Sequence, residues 1–339
     1  MKLLVSGSIA FDYLMSFPGL FREHILPENL DSLSVSFLVD HMRRAYGGCG
    51  PNIAYNLALL GERPLLIGAA GQDFGEYRSW LESSGVDTSN VLVVADEFTA
   101  SFFVSTDREG NQIATFYIGA MDQADRVSLH DAGVEPDDIV IVSPNKPEAM
   151  IRHAAEAKEA GARFVFDPSQ QIPRLTAEEL VEAMRGAYVL ALNDYEYALL
   201  KAKTGYSDQQ VQEQVEALIV THGAKGSSIW VGGERISVPS VRPVREVDPT
   251  GVGDAYRAGL LKSLAAMLDW ETCGRMGSLA ACYVLEEGGT QEHRYTREDF
   301  LRRYQEAFGD VRRVAEVIGA PIAEREPAAA QHPGGTSEG

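Results

Sequence analysis

Basic residues are scarce: 30 Lys and Arg stand against 49 Asp and Glu, a formal net charge of -19 over 339 residues. A surface this negative repels phosphate backbones and anionic lipid heads, which argues against nucleic acid or a membrane surface as the main partner. A nucleotide held in a local pocket of opposite sign stays compatible with it. Cysteine is nearly absent too. Cys49, Cys273 and Cys282 form no CxxC pair and no metal-ligand spacing with histidine, and they read as reduced thiols of a cytoplasmic protein. Long apolar runs are missing, since no stretch reaches the roughly 18 uninterrupted residues of a membrane span. The short apolar run Leu3 to Phe11 is broken at Asp12 and reads as a buried first strand, not a signal peptide. No His arrangement suggests zinc or a nucleophilic triad.

What the chain does have is 45% apolar residues and 32 glycines, enough for a large core with many tight turns. Short apolar runs alternate with helical patterns. Strands are expected at Lys2–Val5, Pro64–Ile67, Ile139–Val142, Arg163–Phe166, Tyr188–Leu192 and Ala217–Val220. Helices are expected at Asn52–Leu60 and Glu148–Ala160, each followed by a stopping glycine. This alternation predicts an α/β fold with a mostly parallel central sheet covered by helices on both faces. Ligands of such sheets bind beyond the carboxyl ends of the strands, where Asp167, Asn193 and Thr221 fall. Residues 13–45 and 97–118 break the pattern with alternating, β-rich stretches. They predict a small antiparallel excursion, a β-sheet lid at the edge of a site. One domain over 1–320 is expected, and 321–339, rich in Ala, Pro, Glu and Gly, reads as a disordered tail.

The strongest chemical signal is Asp248-Pro249-Thr250-Gly251-Val252-Gly253-Asp254, followed by the small-residue segment Ala255 to Gly259. Glycines permit close backbone approach, and the first turn of a helix leaves amide N–H groups unpaired beside a partial positive charge. Together they make an anion cradle, with Asp254 placed to take a proton from an attacking hydroxyl. Phosphoryl transfer needs both parts. The plainer reading, an acidic helix N-terminus, explains Asp254 but not the paired glycines.

This segment resembles the C-terminal signature of the ribokinase-like (PfkB) carbohydrate kinases. The resemblance extends to Gly47-Gly48-Cys49-Gly50-Pro51-Asn52, to Asn193-Asp194-Tyr195-Glu196, and to Thr221-His222-Gly223-Ala224-Lys225-Gly226, in family order. Pro249 and Cys49-Gly50-Pro51 depart from the usual pattern. Gly7-Ser8-Ile9-Ala10-x-Asp12, Leu33-x-x-Ser36, Asp167-Pro168-Ser169-Gln170-Gln171 and Gly289-Thr290-Gln291-Glu292 look like the actinobacterial-type adenosine kinases.

The resemblance implies ATP-dependent phosphorylation of the 5′-hydroxyl of adenosine, in purine salvage. A sugar kinase of the ribokinase or fructokinase kind, or a broad nucleoside kinase, is the alternative. A non-catalytic nucleotide sensor on the same fold is countered by the intact Asp254 and glycines. It also implies roles. Asp254 is the general base, its ionised form favoured by the helix-end amides, and Gly251, Val252 and Gly253 offer backbone N–H groups. Asp12 and Asn52, with Gly48 and more weakly Ser8 and Ser36, hold the ribose; without the family, Asp12 reads as a turn residue. Phe102 and Phe116 sandwich the purine, or are core aromatics. Gln170 and Gln171 reach the base or ribose. Asn193 and Glu196 organise Mg²⁺ and the ATP phosphates through water, or form a helix cap. Thr221 and Gly223 line the triphosphate, and Gly226 shapes the loop. ATP's adenine rests near Gly277, Ala280 and Ala281, or these small residues serve close helix packing. Asp248 binds a monovalent cation, K⁺ being the candidate. A homodimer through the lid is the implied assembly.

Overall fold

The computed structural model describes residues 1–25 and 34–319. Leu33 and the tail 321–339 lie outside the described residues. The main sheet has nine strands: β1 (Leu3–Ser6), β4 (Leu65–Gly71), β5 (Asp87–Val94), β8 (Ile139–Val142), β9 (Arg163–Phe166), β10 (Val189–Asn193), β11 (Ala217–Thr221), β12 (Ser227–Val231) and β13 (Glu234–Val238). Their order is β13-β12-β11-β10-β9-β8-β1-β4-β5. Every pairing is parallel except those of the terminal hairpin β12–β13, where β12 runs against β11 and β13 against β12. That hairpin turns at Gly232-Gly233, both at positive φ (58° and 80°), the backbone a tight two-residue turn demands.

The strands are apolar on both sides because both sides are covered. Leu3, Val5, Ile139, Ile141, Val189 and Ile219 face one core, shared with helices Cys49–Leu59, Gly75–Ser83, Val252–Ala265 and Trp270–Leu285. The alternate residues Leu4, Val140, Val142, Leu190 and Leu218 face the other, with helices Pro147–Glu159, Ala177–Met184 and Asp194–Thr204. The fold is α/β with a mostly parallel central sheet covered by helices on both faces, as the sequence pattern predicts. Among the described residues no helix is long and apolar enough to cross a membrane.

A separate four-stranded sheet, ordered β3-β2-β6-β7, is built from β2 (Ala10–Ser16), β3 (His41–Gly47), β6 (Ala100–Thr106) and β7 (Gln112–Tyr117). The expected excursion is antiparallel only at β2–β3 and β6–β7. Its central pair β2–β6 is parallel, because those two strands enter the sheet from the same edge of the main domain. One helix also starts earlier than expected: it runs Cys49–Leu59, with Gly48 at φ 91° as its cap. Pro51 fits in its first turn, where no N–H partner is needed.

Candidate active site

Two cavities open above the carboxyl ends of the main strands. One, about 600 Å³, lies under the small sheet and reaches Ser8, Asp12, Gly48, Asn52, Phe102 and Phe116. The other, about 480 Å³, lies over β9–β11 and reaches Asp167, Thr221, Gly223 and Gly226. They share Cys49, Ser169, Gln170, Asn193, Glu196, Gly253 and Asp254. Asp254 therefore stands where the two meet.

The junction is made by the helix Val252–Ala265, whose cap Gly251 sits at φ 79°. Among the described residues the Gly251, Gly253 and Asp254 backbone N–H groups donate no backbone hydrogen bond. These unpaired donors stand at the helix start where the sequence reading expects an anion cradle. Val252 differs from that expectation. Its N–H lies 3.4 Å from the Pro249 carbonyl oxygen, so the turn itself occupies it. The loop is stapled from below by Asp248, whose carboxylate accepts the N–H of Thr250 (2.9 Å) and of Gly289 (3.2 Å).

Asp254 Oδ2 accepts a hydrogen bond from Asn52 Nδ2 at 2.9 Å. Its carboxyl is pushed up to about 7, first by burial and then by the Asp167 carboxylate. The Asn52 bond and the Arg257 guanidinium pull the other way. Burial thus opposes the helix-end amides, which favour the ionised form. A carboxyl poised near neutrality is well matched to proton abstraction. Beneath it Arg257, 3% exposed, forks onto Asp167 with Nε–Oδ2 3.0 Å and Nη2–Oδ1 3.1 Å. Ser169 adopts φ 34°, a region non-glycine residues rarely occupy, and its hydroxyl donates to Asp167 at 2.6 Å. Arg257 and Ser169 were not assigned roles from sequence. The positive φ leaves no trace in residue type, and Arg257 sits one helical turn past the motif.

On the first cavity's wall Asp12 is raised to about 6 by burial and by Asp248, with Arg43 opposing. Ser8 is 8% exposed, and its Oγ accepts the Cys49 N–H at 3.4 Å. A Cβ on Gly48 would collide with the Ser8 carbonyl, so the helix cap approaches the Ser8–Ala10 backbone between β1 and β2 only as glycine. Gln170 donates to the Cys49 sulfur at 3.4 Å. Gln171, 7% exposed, lines the same cavity. Phe102 and Phe116 both reach it, but they are directly opposed across β6 and β7. Opposed residues leave a sheet on the same face. The rings therefore form one wall, not the two sides of a sandwich. Ser36 is exposed and lies away from the cavity lining, because its segment is held outward by Phe37 packing on Phe17 and Phe21. Arg174 joins the lining without any signal in the motifs, and Thr290 joins it from the Gly289–Glu292 motif, where it was given no role.

On the second cavity's side, Asn193 and Glu196 form a reciprocal capping box, each accepting the other's N–H at 2.8 Å. They cap the helix and line both cavities at once. Burial raises the Glu196 carboxyl, and Asp167 adds to it. Gly226, at φ 88°, admits no side chain, since a Cβ would run into the Val238 carbonyl. Ala281 lines the cavity. Ala280 does not: one residue earlier on the helix, it turns into a core cluster with Leu279 and Phe300. Gly277 lies against Tyr256 of the neighbouring helix, where even a Cβ is crowded at 2.9 Å. Close helix packing is the role of both.

The chain matches the pfkB family carbohydrate kinase model over residues 19–297. It is 31% identical over 310 residues to a nucleoside kinase of Methanothermobacter thermautotrophicus, covering 91% of this chain and 96% of that one. The Burkholderia thailandensis nucleoside kinase in complex with inosine superposes with a TM-score of 0.82 at 36% identity, covering 91% of this chain and 100% of that one. The same enzyme in complex with ADP-inosine gives 0.79 at 38%, covering 91% and 97%.

Proposed function

The chain belongs to the pfkB family of carbohydrate kinases, and we propose that it transfers the γ-phosphoryl group of ATP to the 5′-hydroxyl of a nucleoside, adenosine among its substrates. The observation that carries this reading is the meeting of two ligand-sized cavities at Asp254 under unpaired backbone donors. Ligand sites typically enclose ~300–1,000 Å³, and both cavities fall in that range. The first has an aromatic wall suited to a base and the Asp12 carboxylate suited to vicinal ribose hydroxyls. Relatives described as nucleoside kinases, one of them holding inosine, favour a nucleoside over a free sugar and do not single out adenosine.

In the proposed reaction the nucleoside lies in the first cavity and ATP in the second. Asp254 takes the 5′-hydroxyl proton as the oxygen bonds to the γ-phosphorus. The bond from that phosphorus to the β–γ bridging oxygen breaks, and ADP leaves. The N–H groups of Gly251, Gly253 and Asp254 receive the charge on the moving phosphoryl oxygens. Hard oxygen donors at the junction, Glu196 chief among them, suit Mg²⁺ held with its water and the ATP phosphates. When bound, Mg²⁺ neutralises charge on the phosphates. A monovalent cation, K⁺ as candidate, is proposed at Asp248 and its neighbouring carbonyls. A homodimer through the lid belongs to the same proposal: β3 and β7 are its edge strands, and β7 is exposed along its length. Sedimentation equilibrium distinguishes one chain mass from two.

The test of substrate is ADP release with MgATP across adenosine, inosine, guanosine, cytidine, ribose and fructose. Turnover of nucleosides well above both sugars is expected. Ribose or fructose exceeding every nucleoside overturns the reading, and inosine or guanosine far above adenosine removes adenosine from it.

A further inference from the structure

Asn52 carries an amide whose two ends have nearly the same shape, yet only one end is useful against a carboxylate 2.9 Å away. Presented nitrogen first, it donates to Asp254 and stabilises the carboxylate. Presented oxygen first, it repels the carboxylate. The neighbours decide which. Trp80 Nε1–H can only donate, and it lies 3.1 Å from Gln291 Oε1. The Gly47 carbonyl can only accept, and it takes the Tyr77 hydroxyl proton at 2.9 Å. The Tyr77 oxygen is left as an acceptor for Gln291 Nε2 at 2.6 Å. Both ends of Gln291 are therefore fixed, oxygen toward Trp80 and nitrogen toward Tyr77. The second hydrogen on that nitrogen goes to Asn52 Oδ1 at 2.9 Å. With its oxygen engaged, Asn52 has only its NH₂ to give Asp254.

We propose that Gln291 and Trp80 are positioning residues for phosphoryl transfer, fixing the Asn52 amide so that Asp254 is held as a carboxylate with one oxygen tied and the other free for the substrate hydroxyl. The inference rests on Asp254 being the base. The chain crosses three helices and a loop: Trp80 on Gly75–Ser83, Asn52 on Cys49–Leu59, Asp254 on Val252–Ala265, and Gln291 in the loop between helices Trp270–Leu285 and Arg297–Phe308. Gln291, Asn52 and Tyr77 are 3%, 4% and 0% exposed, so the bonds among them are well shielded and the donor–acceptor order holds. The reverse order would face Asn52 oxygen to Asp254 oxygen and Asn52 nitrogen to Gln291 nitrogen, two like contacts between largely buried groups. Asp254 is also faced by Asp167, Arg257 and the Cys49 thiol. None of these three bonds to Gln291 or Trp80, so changes at the two positions leave that setting in place.

The test substitutes Gln291→Met, which keeps length and removes every bond, and Trp80→Phe, which keeps an aromatic ring and removes the donor. Two readouts are taken on the full chain. One is the pH profile of kcat/KM with MgATP and the nucleoside the wild type turns over best. The other is the ¹³C titration of the Asp254 carboxyl, assigned by its loss in Asp254→Asn, which needs no turnover. In Gln291→Met both midpoints should rise by about one pH unit, the worth of about one hydrogen bond to a charged group. In Trp80→Phe, where Tyr77 still holds one end of Gln291, a smaller rise is expected. Midpoints that coincide with wild type, with only the plateau rate reduced, overturn the assignment for the residue concerned. An Asp254 resonance that moves as expected in a protein that turns over no nucleoside upholds the positioning chain and refutes the substrate. Should Gln291→Met fail to fold, Trp80→Phe decides.

Discussion

Asp254→Asn is expected to make the protein slower and more stable together, with both effects set by one shifted equilibrium. The Asp254 carboxyl moves from an ordinary value of 3.8 to about 7, mainly because folding removes water from it. Between those values the native state holds a proton that the unfolded chain releases. Stability therefore falls as pH rises through this window, and the full penalty is present above about pH 7. The displacement corresponds to about 4 kcal/mol, a ceiling because the group borders an open cavity that water reaches. Asparagine has nearly the same shape, can accept the Asn52 bond through its oxygen, and never ionises. Relative to wild type, the variant should match near pH 4 and gain about 2 kcal/mol between about pH 5 and pH 8.5, read by urea unfolding at each pH. Its kcat should fall by about two to four orders of magnitude, the usual worth of a general base. In the wild type the same group should give kcat/KM an acid limb that rises with pH and levels off above about 7. Parallel stability curves across the pH range would refute the buried, poised carboxyl. Turnover surviving within about threefold would refute the base.

Phe102→Ala removes half of the aromatic wall in the first cavity and should raise KM for the nucleoside about tenfold with little change in KM for ATP; equal weakening of both counts against a base-binding wall. Arg257→Met leaves Asp167 buried without its partner and should cost about 3–5 kcal/mol in urea unfolding. Adding Asp167→Leu should recover most of that loss, and a double variant as unstable as the single one would mean the ion pair is not the source.

How much of this was legible in the sequence depended on whether a signal is local. Strand positions were legible because burial on both faces of a parallel sheet imposes continuous apolar runs, and Ile139–Val142 and Arg163–Phe166 fall as expected to the residue. The helix start at Gly251 with its unpaired N–H groups was legible because glycine spacing and a following helix are written within a dozen positions. Errors appear where a single residue's direction matters. Ala280 and Ala281 differ by one step of about 100° on a helix, and that step separates core from cavity. Phe102 and Phe116 are set by the register of β6 on β7, which no local pattern states. The parallel pairing of β2 with β6 was equally hidden, since it joins segments about ninety positions apart.

The orientation of Asn52 is the extreme case of this limit. It is decided by an indole 28 positions away in sequence and a glutamine 239 away, through partners whose donor or acceptor character cannot be exchanged. A motif names the residues that touch the reaction, because their spacing is fixed by one turn of backbone. The residues that dictate which atom of an amide faces the base have no such spacing. They become visible only when the fold has brought a donor-only group and an acceptor-only group to opposite ends of one buried network. For this reason the Trp80 and Gln291 substitutions probe more than two side chains. They ask whether the polarity of a catalytic contact is set by the contact itself or by the far ends of the chain of hydrogen bonds that leads to it.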